Sequence, residues 1–255
     1  MGSLTHATFL FFLNLCAGHY VFLGAVRPSR LGPAYYLIHG LPSLGVVAIA
    51  LWLTSKGGLS AAAFYSLLLF LGLGAFYSLF ATRFRIAAPI LFALSLLALL
   101  FSILEMGKQE SATVPFVVHS LLSLVLLGAA SAAMALGHWY LVQPKLSISE
   151  LSRLSYMLFA AVVVRLAWMV WGLAPLLSGV SSIEKFLIGS NEGIFILMRV
   201  LWGIALPVVL SALVLPTVKI RSTQSATGLL YVVVVCVLIG EILSTYLGLT
   251  YAVYL

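Results

Sequence analysis

Residues 114–142 read VPFVVHSLLSLVLLGAASAAMALGHWYLV, a long run without one charged side chain. About 20 apolar residues in a helix, rising ~1.5 Å each, cross the hydrocarbon core of a bilayer, so this stretch predicts a membrane-spanning helix. It carries a histidine near each end, His119 and His138, and a small-residue centre from Gly128 to Ala133. Small side chains let neighbouring backbones come close, which places the helix inside a bundle and not on its rim.

Seven more apolar segments of spanning length flank it, at 7–26, 34–53, 59–80, 86–106, 151–177, 193–215 and 226–247. Proline, glycine and charge punctuate the joins. The composition agrees: 63% hydrophobic, 7% charged and a mean hydropathy of +1.20 leave too little charge to cover a water-soluble surface. The expected fold class is an all-α integral membrane protein, a bundle of eight transmembrane helices forming one domain over residues 1–255. Alternation of the barrel type is absent, which leaves helices as the spanning elements. The net charge of +7 sits mostly in short connections, so it sets membrane orientation and implies no nucleic-acid partner. Cys16 and Cys236 lie inside apolar runs and are expected as free buried thiols. Residues 1–20 lack a basic leader and are expected to be a retained first span.

Orientation follows from lysine and arginine. The odd connections hold Arg27 with Arg30, Arg83 with Arg85, Lys145 with Arg153, and Lys219 with Arg221. The even ones hold only Lys56, Lys108 and Lys185, beside Glu110, Glu184 and Glu192. The positive-inside bias puts the odd connections in the cytoplasm and both termini on the other side, in a bacterial inner (cytoplasmic) membrane. A short echo links Gly18-His19-Tyr20 ahead of Pro28 with Gly137-His138-Trp139 ahead of Pro144. It fits two four-helix units in parallel orientation, or chance, since nothing else in the halves aligns.

Ionisable groups inside a bilayer cost about 2.5–3.5 kcal/mol each on insertion scales, so they face protein or water and are the candidate functional residues. Depth counted from the charged ends puts His19, His39 and His138 at one level in the cytoplasmic half. His119, Arg199 and Glu241 share a level in the outer half, with Arg165 nearer the middle and Glu105 at the rim. Neutral imidazoles from different spans of an apolar bundle suit haem b, so His19, His39 and His138 are the candidate metal ligands. Any one of them also serves as a plain hydrogen-bonding residue between helices. Arginines near a histidine suit a haem propionate, a quinone carbonyl or an anionic substrate, and Glu105 and Glu241 could pass quinol protons outward. Arg165, Arg199, Glu241 and His119 are therefore expected in one buried cluster, which a purely structural ion pair would also produce. Ser222, Thr223 or Ser225 is expected to cap the last span, where exposed amides suit an ordinary cap or a lipid headgroup.

Three functions fit these residues. One is the membrane subunit of an electron-transfer complex in a respiratory chain, binding b-type haem or quinone beside a cytochrome or iron–sulfur partner and membrane lipid. The second is a transporter with a buried Arg/Glu/His site, the third a non-catalytic assembly subunit of a membrane complex. Pro42, Pro89, Pro175 and Pro207 are the positions where a span is expected to kink.

Overall fold

The computed structural model describes residues 3–26, 31–54, 59–84, 87–110, 112–143, 146–177 and 191–255. Arg27, Pro28, Arg30, Lys56, Arg85, Pro144, Lys145, Glu184 and Lys185, which bear on orientation and on the echo, lie outside them, as do the side chains of Pro175 and Glu192. The described residues contain helices and no strand. In order these are α1 (Ser3–Leu23), α2 (Pro33–Thr54), α3 (Ala61–Phe80), α4 (Ala87–Gly107), α5 (Thr113–Val142) and α6 (Ser149–Leu177). Then α7 (Asn191–Val200) runs through a π-helical turn (Leu201–Ala205) into α8 (Leu206–Lys219), and α9 (Thr223–Tyr251) follows. Taking α7, the turn and α8 as one, eight helices among the described residues are long and apolar enough to cross a membrane.

Helices α1 and α5 form the centre. In their most apolar windows 67% and 72% of residues are buried, against 28% for α2 and α6. Their crossing explains the small-residue centre of α5. A Cβ on Gly128 would lie 2.4 Å from the carbonyl carbon and oxygen of Gly18, and one on Gly18 would lie 2.2 Å from the Leu124 oxygen. Backbone lies against backbone there, which only glycine permits. On the outside, Trp52, Leu53, Tyr65, Leu97, Trp171 and Ile220 are largely exposed. An apolar periphery of this extent suits contact with lipid.

The seventh span is not one regular helix. Pro207 has no amide proton, so the carbonyl of Gly203, four residues back, loses its ordinary α-helical partner. The chain answers with the π turn, in which the Leu206 amide bonds Leu201 O. Pro207 was among the expected kink sites. Pro42 lies inside α2, whereas Pro89 sits in the first turn of α4, where a missing amide costs nothing. Ser222 is the N-cap of α9, but its hydroxyl bonds Ser225 Oγ at 3.0 Å and no amide.

Candidate functional sites at the two ends of the bundle

The ionisable side chains gather in two groups, and both include residues singled out from sequence. In the half nearer the chain ends, Arg165 from α6, Arg199 from α7, Glu241 from α9 and His119 from α5 meet. The side chains of Arg165, Arg199 and Glu241 are 0% exposed. Arg165 grips the carboxylate with two nitrogens, Nε to Oε1 at 3.0 Å and Nη2 to Oε2 at 2.8 Å. Arg199 Nη2 lies 2.7 Å from Oε1. Ser123 donates to Oε2 at 2.5 Å. Around Arg165 Nη2 stand three further acceptors, Ser123 Oγ at 3.1 Å, Ser244 Oγ at 3.2 Å and His119 Nδ1 at 3.2 Å. A guanidinium N–H points at Nδ1, so that nitrogen holds a lone pair and the imidazole is neutral.

Two guanidinium side chains therefore face one side-chain carboxylate in a site closed to solvent. The acceptors crowd one edge, and Arg165 Nη1 and Arg199 Nε are buried without a hydrogen-bond partner. Arg199 also reaches, at 3.5 Å, the Gly203 oxygen that Pro207 leaves without its helical donor. The π turn thus supplies a polar atom to the cluster, and Gly203 and Gly240 let α9 approach it. A Cβ on Gly240 would lie 2.2 Å from Gly203 Cα. Sequence reading missed Ser123, although it lies one turn from His119 on the same face of α5. It also missed Ser244, three residues from Glu241, and the tail beyond α9. Glu105 stays out of the cluster and pairs with Lys108 at 2.5 Å.

At the other end, His19, His39 and His138 line one cleft of about 460 Å³ between α1, α2, α5 and α9. Leu15, Ile38 and Met134 give it apolar walls, and Ser43, Ser131 and Tyr231 add hydroxyls. Ser131 Oγ lies 3.0 Å from His19 Nδ1 and 3.2 Å from Gly128 O, so it ties the imidazole to the α5 backbone. His138 Nδ1 lies 3.1 Å from the Tyr231 hydroxyl, and both residues are exposed at the rim. His39 is held by aromatic contacts, its ring centroid 4.6 Å from that of Tyr35 and 6.2 Å from that of Trp139. Both of these neighbours keep a buried polar atom without a hydrogen-bond partner, Tyr35 Oη and Trp139 Nε1.

The His19 and His39 rings, two of the three imidazoles expected as haem ligands, stand side by side in the cleft with centroids 5.5 Å apart and planes tilted 42°. Among the described residues, no three His, Cys, Asp or Glu side chains converge as a metal ion requires. Cys16 and Cys236 are free and buried. No protein-family model matches the chain, and no curated protein or solved structure shows significant similarity to it.

Proposed function

We propose that the protein is the membrane subunit of an electron-transfer complex and takes a quinol or quinone from the bilayer into the histidine cleft. The observation that carries this reading is the meeting of three imidazoles in a cleft rimmed by exposed residues of a lipid-facing surface. Its volume is in the range of small-molecule sites, which pair apolar walls with a few placed polar groups. A quinone headgroup has that chemistry, with two oxygens on a flat apolar ring and a tail that stays in lipid. The His19 imidazole can accept a quinol hydroxyl proton in one tautomer and donate an N–H to a quinone oxygen in the other. His138 and Tyr231 at the rim suit the second oxygen. The electrons would pass to a redox centre on a partner subunit, a cytochrome or an iron–sulfur protein. We place the complex in a bacterial cytoplasmic membrane with both termini on the non-cytoplasmic side, as the lysine and arginine pattern supports.

Trp139 offers a direct assay, because its ring lies against His39 and Tyr35 and a quinone within contact distance quenches indole fluorescence. In lipid nanodiscs, titration with a decyl-tailed benzoquinone should quench Trp139 saturably, and Trp139→Phe should remove that component. His19→Ala should weaken binding up to about tenfold, the worth of one neutral hydrogen bond. Linear quenching that is identical in His19→Ala refutes the reading. A b-type band in the dithionite-reduced spectrum replaces quinone with haem at this cleft.

A further inference from the structure

Tyr35 and Trp139 stand beside the cleft with more hydrogen-bonding capacity than the described residues use. Tyr35 is fully buried, and its Oη has no hydrogen-bond partner among them. Trp139 Nε1 is buried and unpartnered in the same way. The two rings meet edge-to-face with centroids 5.5 Å apart, and both pack on the His39 ring. His39 lines the cleft and the other two do not, so the imidazole separates them from its open volume.

A polar group left unpaired in the interior gives up its bonds to water without replacement, and native folds hold few of them. Two that share one imidazole neighbour mark a position that an oxygen would fill. Trp139 Nε1 sets the chemistry of that oxygen. An indole nitrogen donates and cannot accept, so its partner must carry a lone pair. The Tyr35 hydroxyl can donate a second bond. The ring in front of this pair is the least fixed of the three imidazoles. His19 has Ser131 within hydrogen-bond distance, and His138 has Tyr231. The His39 ring has no hydrogen bond among the described residues, and the bond from Ser43 Oγ goes to its main-chain oxygen. A change of rotamer at His39 would uncover the pair without moving a helix.

We propose, on the quinone reading of the cleft, that Tyr35 Oη and Trp139 Nε1 form its inner binding position and select a benzoquinone with alkoxy oxygens on the ring. The two carbonyl oxygens lie at His19 and at the His138–Tyr231 rim, and the ring edge between them turns toward His39. With His39 swung aside, an alkoxy oxygen on that edge accepts from Trp139 Nε1 and Tyr35 Oη, while the tail leaves from the opposite edge into lipid. An alkoxy oxygen only accepts, as the indole requires. A naphthoquinone presents a fused hydrocarbon ring on the same edge and leaves both donors unpaired. A site that hydrogen-bonds a substrate group discriminates against the analogue that lacks it.

The test uses the full chain in nanodiscs and two probes with the same decyl tail, a dimethoxy-benzoquinone and a naphthoquinone. Saturable quenching of Trp139 should show the dimethoxy compound binding about tenfold or more tightly than the naphthoquinone. Tyr35→Phe removes a hydroxyl without a partner, so it should keep the unfolding midpoint, narrow the preference and leave the naphthoquinone affinity unchanged. The Trp139 nitrogen is read directly by the ultraviolet resonance Raman band of the indole N–H bend, taken as the difference from Trp139→Phe. That band should shift with the dimethoxy compound and stay in place with the naphthoquinone. Equal affinities for the two quinones, or an indole band that does not move, overturns the proposal and leaves quinone binding standing. Absence of saturable quenching by either compound ends the quinone reading, and this proposal with it.

Discussion

Replacing Glu241 by glutamine and replacing Arg199 by glutamine remove one charge each from the same buried contact, yet the structure predicts different costs. Glu241 is the side-chain carboxylate of the cluster and takes bonds from Arg165, Arg199 and Ser123. Glu241→Gln leaves two guanidiniums, both 0% exposed, without the carboxylate that both of them bond. Removing one partner of a buried pair costs about 3–5 kcal/mol, and here the loss falls on two cations at once. Arg199→Gln leaves the two-bond Arg165–Glu241 pair intact. It gives up the 2.7 Å contact to Oε1 and two long bonds, to Gly203 O and Leu255 O. A hydrogen bond to a charged group contributes about 1.5–3 kcal/mol, and a cost of that size is expected. The double variant retains Arg165 without Glu241 and should resemble Glu241→Gln. Equilibrium unfolding in mixed micelles, compared by midpoint at equal slope, measures all three. A gap of at least about 1 kcal/mol between the single variants is the expected result. Arg199→Gln as destabilising as Glu241→Gln would refute the reasoning, because it would mean that Arg165 and Ser123 do not suffice to hold the carboxylate.

Two further predictions concern the frame. Gly128→Ala puts a Cβ 2.4 Å from the Gly18 backbone, so α1 and α5 must part by about an ångström, at a cost of about 1–3 kcal/mol. Because His19 adjoins Gly18 and bonds Ser131, quinone quenching of Trp139 should weaken too. Gly45→Ala, with nothing within 4 Å, is the control and should leave both the unfolding midpoint and the quenching unchanged. For orientation, single cysteines at positions 3 and 148 should label from opposite sides of sealed vesicles, position 3 from the non-cytoplasmic side. Labelling from the same side rules out the alternation of connections.

The eight helices were legible in the sequence, because span length and apolar content follow from bilayer thickness and backbone hydrogen bonding alone. So was the height of the clustered residues along their helices, which a constant rise per residue converts from position. That sufficed to group His119, Arg165, Arg199 and Glu241, and to set His19, His39 and His138 at one level. What height does not carry is the angle around each helix axis, which is decided by which faces pack. Only the fold showed that the His19 and His39 rings touch, or that Ser131 and Tyr231 are the partners of His19 and His138. Pro207 announced a break, but its consequence needed the Gly203–Gly240 approach and an arginine within reach of the freed carbonyl. The tail was the least legible part, since a tyrosine and a leucine after the last span read as ordinary apolar residues. Their placement follows from a chain reversal at Ala252 and from glycines at 172 and 248 that leave room for them. Contacts between residues far apart in sequence depend on tertiary packing, and no local pattern encodes them.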